Sequence, residues 1–282
     1  TMVKLATMQT GVLGGIEPPG ADQLLRMQRA DYVLRARDGQ IIEVPAEKSR
    51  LPPDPDSHPQ AVRLFKGAGT AIYARQPGTL SRSDDGGRTW TSRPVPAAPR
   101  ETAALQDGAL VGVDAGADRP AEVFHSEDEG ASWRTIGAVV AGIPFAEPHV
   151  AELPDGELVC ALRSEMEDAP CVHVCRSDDG GRTWSTPVQT AMDGYQQPPH
   201  LIVLADGRLL CTDGRRSRPH GQRACISPDG GDTWPMEREV VLRDDGPSID
   251  LGYPATAELS PGELLTVYYQ QERLGDKVCI QA

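Results

Sequence analysis

The sequence predicts an all-β chain, a six-bladed β-propeller of four-stranded antiparallel blades. Three observations carry that prediction. Ser83-x-Asp85-x-Gly87-x-Thr89-Trp90 recurs as Ser126-x-Asp128-x-Gly130-x-Ser132-Trp133, as Ser177-x-Asp179-x-Gly181-x-Thr183-Trp184 and as Ser227-x-Asp229-x-Gly231-x-Thr233-Trp234. The steps between copies are 43, 51 and 50 residues, the length of one blade, and the four copies take up all 4 tryptophans of the chain. Upstream of each copy runs a second repeat, an apolar stretch, an Asp-Gly turn and another apolar stretch.

The elements follow in order. Ala103–Val111 turns at Asp107-Gly108, Val150–Val159 at Asp155-Gly156 and Leu201–Leu210 at Asp206-Gly207. Ala255–Leu265 turns at Pro261-Gly262, and Ala61–Tyr73 is a looser copy at Ala68-Gly69. Each unit reads as strand, turn, strand, connection, strand, boxed turn, strand, with blades starting near 58, 99, 147, 198 and 253. The last has no box. Residues 1–57 are irregular, with a hairpin expected across Asp38-Gly39 and a weak helix signal over 22–29. They can supply a sixth blade and a strand that closes the ring, so that residues 1–282 form a single domain.

Composition agrees. The 29 glycines and 25 prolines of 282 residues suit short strands and tight turns. No stretch approaches eighteen consecutive apolar residues, which excludes a membrane-spanning helix. A net charge of −13 argues against a nucleic-acid partner; a local arginine cluster could still hold an anionic small ligand. Most of the six cysteines fall inside apolar strands, as buried reduced thiols do. Cys171, His173 and Cys175 share a strand face, but no second Cys/His pair completes a metal set, and no metal or cofactor is expected. No leader-like segment opens the sequence; a cytoplasmic location is the default, secretion the alternative if a leader was removed. The oligomeric state is not legible.

In the boxed turn the Asp carboxylate can accept backbone N–H bonds, Gly supplies a positive φ, and Trp packs between sheets. The motif resembles the Asp-box, or bacterial neuraminidase repeat, of the sialidase superfamily. It names a fold and carries no catalysis.

The Asp-Gly turns also give a common register. Eight residues before the first turn position stand Pro99, Glu147, Pro198 and Tyr253, with His58 in the loose copy; eight after stand Ala115, Arg163, Gly214 and Tyr269, with Arg75 nearby. In a propeller these positions converge on one axial mouth, so Glu147, Tyr253 and Arg163 should meet there. The segment Glu147 to Arg163 is similar to the sialidase segment with a glutamate and, sixteen residues on, an arginine. Tyr253 to Tyr268 is similar to the strand that opens with the sialidase tyrosine.

The resemblance implies an exo-acting glycoside hydrolase on terminal acidic sugars. Tyr253 would be the nucleophile and Glu147 its base; Arg163 and Arg223 would clamp the sugar carboxylate, with Arg215 and Arg216 as rivals to Arg223. The chain has no Arg-Ile-Pro segment to supply the family's first arginine; His58 stands in its place, and Arg75, Arg63, Arg35 and Arg37 are substitutes. Asp56, or Asp54 beside it, is the candidate acid. Two other functions fit the same fold: a non-catalytic glycan- or protein-binding propeller, and a uronic-acid polysaccharide lyase with His149 or His200 as base.

Overall fold

A computed structural model of the chain describes residues 32–35 and 41–44 and, from 63 to 281, everything except 68–70, 77, 86–88, 96–98, 100, 117–118, 141–144, 195 and 277. Short β-rich runs between turn residues become strands throughout. Tyr32–Arg35 (β1) and Ile41–Val44 (β2) pair as the expected hairpin. The first blade is Arg63–Lys66 (β3), Ile72–Gln76 (β4), Thr79–Ser83 (β5) and Thr91–Pro94 (β6); the second is Glu101–Ala104 (β7), Leu110–Gly116 (β8), Arg119–Ser126 (β9) and Arg134–Val140 (β10). The third runs through Phe145–Glu152 (β11), Leu158–Ser164 (β12), Cys171–Ser177 (β13) and Val188–Asp193 (β14). His200–Val203 (β15), Leu209–Arg215 (β16), Gly221–Ser227 (β17) and Glu239–Arg243 (β18) form the fourth, and Leu251–Ser260 (β19), Glu263–Gln270 (β20) and Cys279–Gln281 (β21) the fifth sheet.

Every sheet is a sequential antiparallel meander. The first strands β3, β7, β11, β15 and β19 lie side by side in succession, as strands around an axis do. The expectation of six four-stranded blades is met in part. Among the described residues four sheets have four strands, the fifth has three, and β1–β2 form a two-stranded sheet. The fifth sheet is described as far as its third strand, β21. The helix signal at 22–29 lies outside the described residues.

Both repeated turns take the expected form. At Asp107-Gly108, Gly108 adopts φ 89° and donates to the Leu105 carbonyl at 3.0 Å, while Asp107 accepts from the Ala109 N–H at 2.9 Å. The boxes repeat one network: Ser177 Oγ donates to Asp179 at 2.9 Å, and the Thr183 N–H and hydroxyl donate to the same carboxylate at 2.8 and 2.7 Å. The hydroxyl and backbone bonds from Ser/Thr hold the carboxyls of Asp128 and Asp179 down to about 2. At Asp229, burial opposes the same bonds without preventing a fall to about 2.

The boxes of the second, third and fourth blades pack on the preceding blade's sheet, Gly130 over Leu80, Gly181 over Val111 and Val123, and Gly231 over Val159. Trp234 is buried in a cluster with Val159, Ala161, Leu201 and Leu209 of blades three and four, whereas Trp133 and Trp184 are only partly buried. Blades are also stapled by polar groups. The His149 Nδ1 accepts from the Leu201 N–H at 3.2 Å, and one blade further His200 Nδ1 accepts from the Thr256 N–H at 3.3 Å. Cys160, Cys171, Cys175, Cys211 and Cys225 are free thiols, with Cys160 opposite Cys175 and Cys211 opposite Cys225 across adjacent strands.

Candidate functional site

The inner strands of the third and fifth sheets share a departure from regular pairing. The ladder between β11 and β12 slips between Ala146 and His149, and that between β19 and β20 slips between Gly252 and Ala255. Inside each bulge one non-glycine residue is driven to positive φ, Glu147 at 43° and Tyr253 at 51°, and each is followed by proline. Bulges re-aim side chains, and such strain is sustained where the surroundings fix it. The two residues meet: the Tyr253 hydroxyl donates to Glu147 Oε1 at 2.8 Å.

Arg163, at the end of β12 opposite Ala146, completes the cluster. Its Nη1 pairs with Glu147 Oε2 and lies 3.5 Å from the Tyr253 oxygen, and its Nε is 2.7 Å from Glu165 Oε1. All three ionic side chains are more than four-fifths buried. Burial, and then the Glu147 carboxylate, push the Tyr253 phenol well above its ordinary range, with Arg163 opposing. For Arg163 burial works against the charge, but Glu147 and Glu165 outweigh it and the guanidinium is held more firmly protonated than usual.

Tyr269 stands opposite Gly252, as Arg163 stands opposite Ala146, and its ring lies 5.9 Å from that of Tyr253. Its phenol is pushed up to about 12 by burial and the Asp250 carboxylate, against the pull of Arg216. Arg216 follows β16 directly. With the Gln197 carboxamide oriented so that its oxygen faces the guanidinium, it accepts from Arg216 Nε and from Nη2 at 3.1 Å.

The predicted site residues therefore separate. Glu147, Tyr253 and Arg163 come together. Arg223 does not join them: it is 3% exposed, and its Nη1 donates to the carbonyls of Gln222 (3.0 Å) and Arg243 within the fourth blade. Arg215 is held by Ser217 at 3.0 Å and Asp193 at 3.4 Å. Arg75 lies on β4 opposite Arg63 and Leu80, two blades from Glu147. Asp54, Asp56 and His58 lie outside the described residues, as do Arg37 and the side chain of Arg35. The reading of the sequence passed over Glu165, Gln196, Gln197 and Asp250. One signal was available. Nine residues before the turn position stand Ala146, Gln197 and Gly252, so a long polar side chain occupies a slot otherwise filled by small residues.

The sequence profile of the BNR repeat-like domain matches residues 95–265, more than half of the chain. The chain belongs to that family. Membership agrees with its relatives. It is 27% identical over 164 residues to the anhydrosialidase of Macrobdella decora, covering 51% of this chain and 21% of the leech protein. It is also 27% identical over 305 residues to the sialidase of Micromonospora viridifaciens, covering 88% of this chain and 44% of that one. The chain thus spans less than half the length of these curated relatives. A solved protein of unknown function from Dyadobacter fermentans superposes with a TM-score of 0.63 at 26% identity, over 78% of this chain and 74% of that one. A Hadza microbial sialidase superposes with a TM-score of 0.54 at 19% identity, over 82% of this chain and 54% of that one, a likeness of fold. The BNR propeller is accordingly the sialidase-superfamily propeller, and the cluster lies at the end opposite the boxed turns.

Proposed function

We propose that this BNR propeller is a sialidase-like glycoside hydrolase acting on terminal acidic sugars. The observation that carries the reading is the Tyr253–Glu147 hydrogen bond at 2.8 Å with Arg163 against both groups. A phenol is a weak nucleophile while protonated, and burial keeps this one protonated at rest. Glu147 accepts its proton as the oxygen attacks the anomeric carbon, forming a glycosyl–tyrosine intermediate that water then hydrolyses. Asp56 is assigned as the acid that protonates the leaving oxygen. A neutral nucleophile suits an anionic sugar, because a carboxylate in its place would repel the substrate.

The sugar carboxylate is assigned to Arg163 and to Arg216 in place of Arg223. Arg216 flanks Tyr269 beside the nucleophile, whereas the guanidinium of Arg223 is taken up by backbone carbonyls. The lyase reading loses support, since His149 and His200 each hold a backbone N–H of the next blade on Nδ1. Release of the fluorogenic aglycone from a sialoside tests the proposal, with Tyr253→Phe as control. Turnover that collapses in the variant upholds it; no turnover from about pH 4 to 8 overturns it in favour of a binding propeller.

A further inference from the structure

Gln197 is a fully buried amide in a place where packing alone would use an apolar side chain. Room for it is made by two glycines on neighbouring blades. A Cβ at Gly214, near the end of β16, or at Gly252, near the start of β19, would overlap its carboxamide. Gly214 lies two residues before Arg216, and Gly252 directly precedes Tyr253. The preceding residue, Gln196, takes φ 54°, donates its N–H to the Ser164 carbonyl at 3.0 Å and its Nε2 to Glu165 Oε2 at 3.3 Å. Glu165 in turn pairs with Arg163 at 2.7 Å. Two successive glutamines thus reach the two arginines of the site, one directly and one through a carboxylate.

We infer that the Gln196-Gln197 step is a brace that positions both arginines, with Gln197 the positioning residue for Arg216; the inference rests on the assignment of Arg216 to the substrate carboxylate. A long guanidinium loses much rotamer freedom when it binds, and holding it in place beforehand removes that cost from ligand binding. By occupying Nε and one edge of Nη2, the Gln197 oxygen leaves Nη1 and the other edge of Nη2 for Tyr269 and a ligand.

The test combines a readout on the protein with one on the substrate. The Arg216 Nε–H resonance, assigned by its loss in Arg216→Ala, should exchange with solvent slowly in the unmodified chain. In Gln197→Leu exchange should speed up about tenfold or more, as expected for loss of a buried hydrogen bond. Gln197→Met makes the same test if the leucine variant does not fold. In Gln197→Glu exchange should stay slow, because the acceptor is kept, yet KM for the fluorogenic sialoside should rise about tenfold while kcat changes little, because a carboxylate now cancels the Arg216 charge. Arg216→Ala combined with Gln197→Leu should be no worse in KM than Arg216→Ala alone. Unchanged exchange in Gln197→Leu, or additive losses in the double variant, would overturn the brace. Failure of the unmodified chain to turn over any sialoside would instead remove the hydrolase reading, and the exchange measurement would still decide the brace.

Discussion

The third and fifth sheets are alike at one end and unlike at the other. At the site end both bulge the inner strand and drive one residue to positive φ, Glu147 in one and Tyr253 in the other. Both set a large side chain of the second strand beside it, Arg163 or Tyr269. At the opposite end the third sheet carries a boxed turn after its third strand, whereas the fifth sheet is described as far as its third strand, β21. The leucine three residues past the turn position differs between the two: Leu158 is 1% exposed and Leu264 is 40% exposed. In the other boxed blades the box glycines Gly130 and Gly231 close over Leu110 and Leu209 at the same slot, and both leucines are fully buried. The geometry of the site is thus built by the first two strands of a blade, and the packing at its far end by the box.

The largest effect is expected of Tyr253→Phe, which removes one oxygen from the fifth sheet. Turnover of a sialoside should fall by about 10³-fold or more, as when a nucleophile is deleted. The melting temperature should move by no more than a few degrees, since no packing is lost. A variant that keeps most of its kcat would show that Tyr253 is not the nucleophile.

Next in size is the boxed counterpart. Leu158→Ala empties a site that is sealed on every side and should cost about 2–5 kcal/mol in urea unfolding. A loss below about 1 kcal/mol would mean that Leu158 does not sit in a closed site.

These two ends were not equally legible in the sequence. The boxes and Asp-Gly turns repeat, so their register could be read off directly, and that register brought Glu147, Tyr253 and Arg163 together correctly. Arg216 belongs to no repeat, and the repeat gives Gln197 a register but not its partner. Gln197 sits beside the site only because Gly214 and Gly252, on two other strands, leave room for it, and a pattern along one strand does not contain that contact. Arg223 was misplaced for a related reason. Its position before the fourth box resembles a site position, but the carbonyls of Gln222 and Arg243 that absorb its guanidinium become neighbours only when β17 and β18 pair.

The histidine staples are common to both regions: the same bond joins blade three to four and blade four to the fifth sheet. Burial holds His200 well below its ordinary range, and the ring of His149, 4.4 Å away, adds to the fall. A depressed histidine contributes its full stability above the unfolded value of about 6.5 and loses it as the pH falls below that, because the unfolded chain then binds the proton more readily. Urea midpoints should therefore drop between about pH 7 and 5. His200→Gln should flatten part of that drop, since its amide oxygen can accept the Thr256 N–H without titrating. An unchanged slope would place the acid sensitivity elsewhere.

A smaller effect is expected at the box itself. Asp179→Ala removes the acceptor of three hydrogen bonds in an exposed turn and should cost about 1–2 kcal/mol, less than a sealed leucine, because water replaces part of what is lost. The loss belongs to the charged form. With a carboxyl held down to about 2, Asp179 contributes its full stability above the unfolded value of about 4, and that contribution fades as the pH falls toward 2. The difference between variant and parent should therefore be largest near neutral pH and shrink in acid; a pH-independent difference would point to packing rather than charge.

Leu264→Ala should have the smallest effect. The side chain is already 40% exposed, so truncation removes less buried area than at Leu158 and leaves no closed cavity. The expected cost is below about 1 kcal/mol. Turnover should be unchanged as well, because Leu264 pairs with Glu258 near the far end of β19, roughly 15–20 Å along the strand from Tyr253. If Leu264→Ala cost as much as Leu158→Ala, the far end of the fifth sheet would have to be covered in solution by residues other than those described. If it cost little stability but lowered kcat, the two ends would be coupled through β19, and the bulge at Tyr253 would depend on how the whole strand packs rather than on its first few residues.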